Sequence, residues 1–146
     1  MAQQIRIANG EPLRFSQSDI TLTGHCLECR INAETITADF RPSPGRVAFA
    51  WFPSTTGTRV DTHIQSGSMI PPFYDSMIAK AIAWGPSRNE ALSRMTALLA
   101  TARIDGVDTN IALHQAIIVD SAFARGGVDT NYLGQFLKTS PIGLPS

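Results

Sequence analysis

Cysteine is scarce: Cys26 and Cys29 are the only two in a chain of 146 residues. Their Cys-x-x-Cys spacing invites a zinc or redox reading, which the rest of the sequence opposes. A structural zinc site needs four ligands, yet there is no second cysteine pair and His25, His63 and His114 are scattered. The run from His25 to Ala33 alternates like a strand, in which positions three apart face opposite ways, whereas a redox pair normally opens a helix. Two reduced cysteines in a strand are therefore expected. An excess of one charge is also lacking, because 12 Lys and Arg balance 12 Asp and Glu. No general attraction to nucleic acid or to an anionic membrane is expected from that balance. Long hydrophobic runs are missing too: the stretch from Met77 to Trp84 carries Lys80 and is far too short to span a bilayer. The N-terminus has no cationic start followed by an apolar core, which argues against a secretory signal and for a cytoplasmic protein. No glycine-rich phosphate loop occurs. Asp61, Asp75, Asp105 and Asp108 have no spacing that marks a metal or acid–base pair, and three isolated histidines define no Ser-His-Asp set. No metal ligands are expected.

What is present suits a single globular domain: the hydrophobic fraction is 43%, enough for a core at this length. Ala2 to Ala8 has helical spacing, ends at the helix stop Asn9-Gly10, and begins without a cap, like the tail of a longer helix. From Leu22 to Trp84 the signals are those of strands, over His25–Ala33, Arg46–Phe52, Thr58–Ile64 and Met77–Trp84. Phe40 to Gly45, with two prolines and a glycine, is expected to be a loop without ladder bonding. The short connections favour antiparallel pairing. After Gly85-Pro86 the period becomes helical, and Ser87-Arg88-Asn89-Glu90 reads as a capping box ahead of the stripe Leu92, Met95 and Leu99. The string Gly106-Val107-Asp108-Thr109-Asn110 recurs as Gly127-Val128-Asp129-Thr130-Asn131. Two helix starts with the same turn and cap chemistry explain the recurrence, with helices over Asn110–Val119 and Asn131–Leu137. Strands first and helices last predict an α+β domain, mainly antiparallel sheet with the C-terminal helices packed on one side. The expected division is a helix tail and linker over 1–20, the domain over 21–138, and a loose tail over 139–146.

Three strings, in order, carry a resemblance. Gly24-His25-Cys26-Leu27-Glu28-Cys29-Arg30-Ile31-Asn32-Ala33-Glu34 precedes Phe40-Arg41-Pro42-Ser43-Pro44-Gly45. Thr58-Arg59-Val60-Asp61-Thr62-His63-Ile64 leads to Pro71-Pro72-Phe73-Tyr74-Asp75-Ser76-Met77-Ile78-Ala79-Lys80. Ile104-Asp105-Gly106-Val107-Asp108-Thr109-Asn110 is followed by a closing pattern ending at Tyr132-Leu133. Together they resemble the C-terminal domain of biotin carboxylases, ATP-grasp enzymes of the acetyl-CoA, propionyl-CoA, pyruvate and related carboxylases.

The resemblance implies a role for Arg59, which matches the family arginine beside bicarbonate and the ureido ring of biotin. Removing the N–H proton of biotin places negative charge on the ureido oxygen, and a fixed guanidinium, a permanent cation, can stabilise it. Thr130 stands where the family places a residue near the ATP adenine, although the helix cap already expected there explains it better. Tyr74, Asp75, Ser76 and Lys80 match the family and are expected to brace the loop beside Arg59; Asp75 as a catalytic base is the sharper alternative. Cys26 replaces a usually small or aliphatic residue, and Val60 stands where Trp is common. The family's N-terminal domain, ATP-grasp lid, phosphate-binding lysines, Mg²⁺-binding glutamates and catalytic base all precede the matched region. ATP and Mg²⁺ are thus expected on that other part, with biotin as the substrate group and no activity from this chain alone. The implied partners are the remaining biotin carboxylase domains, a biotinyl carrier protein or domain, and a second copy in a homodimer. The rival reading is a non-catalytic interaction module docking on a carboxylase, its carrier domain or itself.

Overall fold

The computed structural model describes residues 1–139. In chain order the elements are α1 (Ala2–Ala8), β1 (His25–Asn32), β2 (Glu34–Thr35), β3 (Arg41–Pro42), β4 (Gly45–Arg46) and β5 (Phe49–Trp51). They continue with β6 (Thr58–Thr62), β7 (Met69–Ile70), β8 (Met77–Gly85), α2 (Arg88–Thr101) and β9 (Arg103–Asp105). The helices α3 (Ile111–Val119), α4 (Ser121–Arg125) and α5 (Tyr132–Thr139) close the described chain.

The principal sheet has three antiparallel strands in the order β1–β8–β6. Alternation gives it two unlike faces. Cys29 and Ile31 of β1 and Ala79, Ala81 and Ala83 of β8 are buried on the inner face, where α2 lays Leu92, Met95, Leu98 and Leu99 against them. The alanine row makes the close approach possible. Gly85 carries it further, since a Cβ there would lie 2.7 Å from the Ala91 backbone nitrogen. Burying each large side chain of α2 stabilises the domain by roughly 1.5–3 kcal/mol. The helix starts where the capping pattern puts it, with Ser87 Oγ accepting from the Glu90 amide. The other half of the expected box is absent: the Glu90 carboxylate takes Arg94 one turn on instead of turning back.

Of the later helices, α3 and α4 pack on the same side. Helix α3 packs on α2 and β1, so the α+β arrangement with helices on one face of an antiparallel sheet is the one observed. Asn110 is not the side-chain cap that its repeat suggested. It is buried, its Oδ1 accepts from the Asn32 amide at 2.9 Å, and its Nδ2 donates to the Arg30 carbonyl at 3.1 Å. The repeated Asp129 does act locally, accepting from the Asn131 amide at 2.9 Å. The short helix α4 is an addition to the sequence reading. Asp120 caps it by accepting from Ala122 and Phe123, and Arg88 binds its C-terminal carbonyls at Phe123 and Ala124.

Two strand expectations need correction. The strand over Arg46–Phe52 is broken into β4, which pairs with β7, and β5, which pairs with β9. Gly106 sits so close to the break that a Cβ there would lie 2.7 Å from the Ala48 amide nitrogen, and buried Val47 marks the bend. The proline loop also holds a short ladder, because β3 pairs with β2. An edge position lets Pro42 take part without donating. Asp39 and Phe40, both left-handed (φ 54 and 57), reverse the chain between these strands. The expectation of a loose tail falls, beyond Thr139 at the end of α5, outside the described residues.

Candidate functional site

The outer face of the principal sheet is where the charge collects. Glu28 stands beside Ile82 and Arg59 across the three strands, and Arg30 beside Lys80 and Asp61. Cys26 faces Trp84 at one end. Five charged side chains therefore share a face that no described helix covers, a consequence of period-two alternation in strands whose other face is apolar.

Arg59 is exposed and paired with Asp61 in its own strand, Nη2 to Oδ2 at 3.0 Å. Exposed pairs of this kind contribute at most about 1 kcal/mol, so the guanidinium can exchange Asp61 for another anion. It borders two concavities. One, of about 520 Å³, is lined with Cys26, Glu28, Ile82 and Trp84; the other, of about 310 Å³, with Phe52, Pro53 and Ser54. Lys80 lies two residues from Ile82 along β8 and lines a neighbouring concavity of about 360 Å³ with Asp61, His63 and Met77.

The other sequence candidates sit elsewhere. Tyr74 is 81% exposed. Asp75 accepts from the Met77 amide at 2.9 Å and meets Arg30 at 3.5 Å, and Ser76 donates to Glu34. Asp75 and Ser76 are thus tied to β1 and the residues after it, while the polar partner of Arg59 is Asp61. Thr130 is exposed in the turn between α4 and α5, and it lines neither concavity that borders Arg59. Beside it Tyr132 donates to Asp120 at 2.9 Å. Burial first, then that bond, pushes the Tyr132 hydroxyl up to about 12, and the backbone bond from Phe123 holds Asp120 below its ordinary value. Among the described residues no group of three or more His, Cys, Asp or Glu side chains could hold a metal ion.

Two features of the site lie outside the sequence candidates. The pairing partner Asp61 sits two positions from Arg59 and could have been found from strand alternation. The second, a link from Arg94 to the Trp84 carbonyl near the end of β8, spans helix and sheet and leaves no local pattern.

The sequence profile of the biotin carboxylase C-terminal domain matches residues 28–135, which include most of β1, the charged outer face and α3. The chain belongs to the biotin carboxylase C-terminal domain family. It is 48% identical over 136 residues to a pyruvate carboxylase subunit of Methanothermobacter thermautotrophicus, covering 93% of this chain and 28% of that protein. It is 44% identical to the biotin carboxylase of a Nostoc species, covering 94% of this chain and 31% of that one. A similar solved structure is the biotin carboxylase domain of Hydrogenobacter thermophilus 2-oxoglutarate carboxylase, a dimer with MgADP, ADP and bicarbonate. It has a TM-score of 0.89 and 44% identity, covering 92% of this chain and 30% of that one. The chain thus spans under a third of the length of these biotin carboxylase relatives. No helix among the described residues is long and apolar enough to cross a membrane.

Proposed function

We propose that this domain completes the active site of a biotin carboxylase by presenting Arg59 to the ureido oxygen of biotin. The observation that carries the reading is the position of Arg59: exposed, on the uncovered face of the sheet, and held only by one surface carboxylate among the described residues. When the N1′ proton of biotin leaves, charge develops on the ureido oxygen, and a guanidinium already in place stabilises it without reorganisation. Removing one such donor costs on the order of 10²–10³ in rate in other enzymes.

In this reading the remaining biotin carboxylase domains bind ATP, Mg²⁺ and bicarbonate and supply the catalytic base. The described residues of this chain have no donor cluster suited to a divalent cation, so no step is assigned to a metal here. Thr130 would border the adenine, and Tyr74, Asp75, Ser76 and Lys80 would brace the neighbouring surface. A biotinyl carrier protein or domain would deliver biotin in the cytoplasm, and a second copy could pair with the assembled enzyme.

Mixing this chain with the remaining biotin carboxylase domains tests the reading. Biotin- and bicarbonate-dependent ATP hydrolysis should appear, and Arg59→Gln should lower it about 10²-fold. A folded mixture without activity rejects the proposal. A stable complex with a carrier domain but no rescue of catalysis would assign the chain instead to docking. The exposed Phe73 and Tyr74 would suit that rival role.

A further inference from the structure

Arg59 enters its strand through a turn that a helix side chain holds shut. Gly57, two residues earlier, has φ +77, a conformation that favours glycine. Thr55 and Thr58 tie the turn to itself, with the Thr58 amide donating to the Thr55 carbonyl at 3.0 Å and the two hydroxyls 2.9 Å apart. The Gly57 carbonyl then accepts from the Trp84 amide at 2.8 Å, beyond the last paired residues of β6 and β8. The Trp84 carbonyl takes Nη1 of Arg94, from α2, at 2.8 Å. Nη2 of Arg94 is held by Glu90, one turn earlier on the same helix. A Cβ added at Gly57 would collide with the Arg94 guanidinium and lie 2.9 Å from the Trp84 carbonyl oxygen. Glycine at this position leaves the space that the guanidinium occupies.

Building on the role proposed for Arg59, we infer that Arg94 is its positioning residue. The Glu90–Arg94 pair fixes the Gly57–Trp84 junction against α2, and the junction sets where β6 begins and hence where Arg59 points. A single ladder end would fray without such a fastening, because among the described residues β6 pairs with β8 alone. Arg94 itself touches no reacting atom. Misplacing a group by about 1 Å can cost about 10²-fold in rate, so loosening the junction should be visible in catalysis.

Two measurements test the clamp. In the isolated chain, Arg94→Ala and Gly57→Ala should each speed hydrogen exchange at the Trp84 amide about tenfold, the size expected for losing one bond to a charged group. The amides of α2 around Met95 should stay as protected as before. In the assembled enzyme, the stimulation of ATP hydrolysis by biotin should fall about tenfold in both variants, a ratio that partial unfolding does not change. The double variant should fall no further, because both changes break the same contact. Arg94→Lys should recover part of the loss. Unchanged Trp84 exchange, retained stimulation, or additive losses would each overturn the inference. Arg59→Gln is the control that separates the two proposals. If it keeps full stimulation, the reading of Arg59 fails and the positioning role fails with it. If it abolishes stimulation while Arg94→Ala does not, only the clamp is wrong.

Discussion

Cys29 and Cys26 differ by three positions and by almost everything else. Strand alternation turns Cys29 into the core against α2 and leaves Cys26 exposed beside Trp84. Burial, with the charge of Glu28 second, pushes the Cys29 thiol up to about 12 from an ordinary 9.0. Thiolate formation at Cys29 therefore favours the unfolded chain. Its contribution is whole below the ordinary value and is lost as the pH climbs toward the folded one. Iodoacetamide should accordingly label Cys26 alone in the native protein and both cysteines in denaturant, read by mass spectrometry. Native labelling of Cys29 at neutral pH would refute this placement. Strand alternation in the sequence already shows which way each sulfur faces. Asn110 is the contrary case, since its repeat reads as a cap and only the fold shows that it is buried between β1 and α3. Asn110→Ala leaves the Asn32 amide without its partner, at about 1–3 kcal/mol for a buried group left unpaired, while the Arg30 carbonyl keeps His114. Urea denaturation should report the loss.

Helix α2 is the element most fully written in the sequence, because its cap, its period and its apolar stripe all agree. Met95 is its fully buried centre, and Met95→Ala should cost about 2–5 kcal/mol by thermal or urea unfolding. A loss below about 1 kcal/mol, outside the range for such truncations, would mean that the helix is not seated as described. The break between β4 and β5 could not be read in the same way. It depends on Gly106, some sixty residues away in sequence, approaching the backbone at Ala48. Non-local packing also decides the attachment of α3. His114 Nε2 donates to the Arg30 carbonyl at 2.9 Å, and burial lowers the ring from its ordinary 6.5 against the raising effect of that carbonyl. A lowered value means that the unfolded chain takes the proton more readily. The contribution of neutral His114 is thus present above about pH 6.5 and is lost as the pH falls below it. Between pH 7.5 and 5.5 the urea midpoint should drop further in the wild type than in His114→Gln. Equal drops would remove His114 from the account.

At the scale of the whole molecule, the order of the three family strings makes the domain legible in the sequence, whereas the site depends on what faces the sheet from outside. Among the described residues, the only polar side-chain partner of Arg59 lies on its own strand. None of the residues from Met1 to Thr23 is buried, and α1 carries no core side chain. Ile5, Leu13, Phe15 and Leu22 are 59%, 54%, 44% and 98% exposed. The tie from this stretch to the sheet is the Thr23 carbonyl, which accepts from the Trp84 indole at 3.0 Å. Folding of the domain should therefore not depend on the first twenty residues. Deleting residues 1–20 keeps Thr23 and should move the unfolding free energy by no more than about 0.5 kcal/mol, as for surface changes in general. The same deletion should make the isolated chain less prone to self-association, since it removes exposed apolar side chains with no cover. A large loss of stability in urea would show that the segment packs on the domain. Unchanged stability with weaker assembly onto the remaining biotin carboxylase domains would show what those side chains cover.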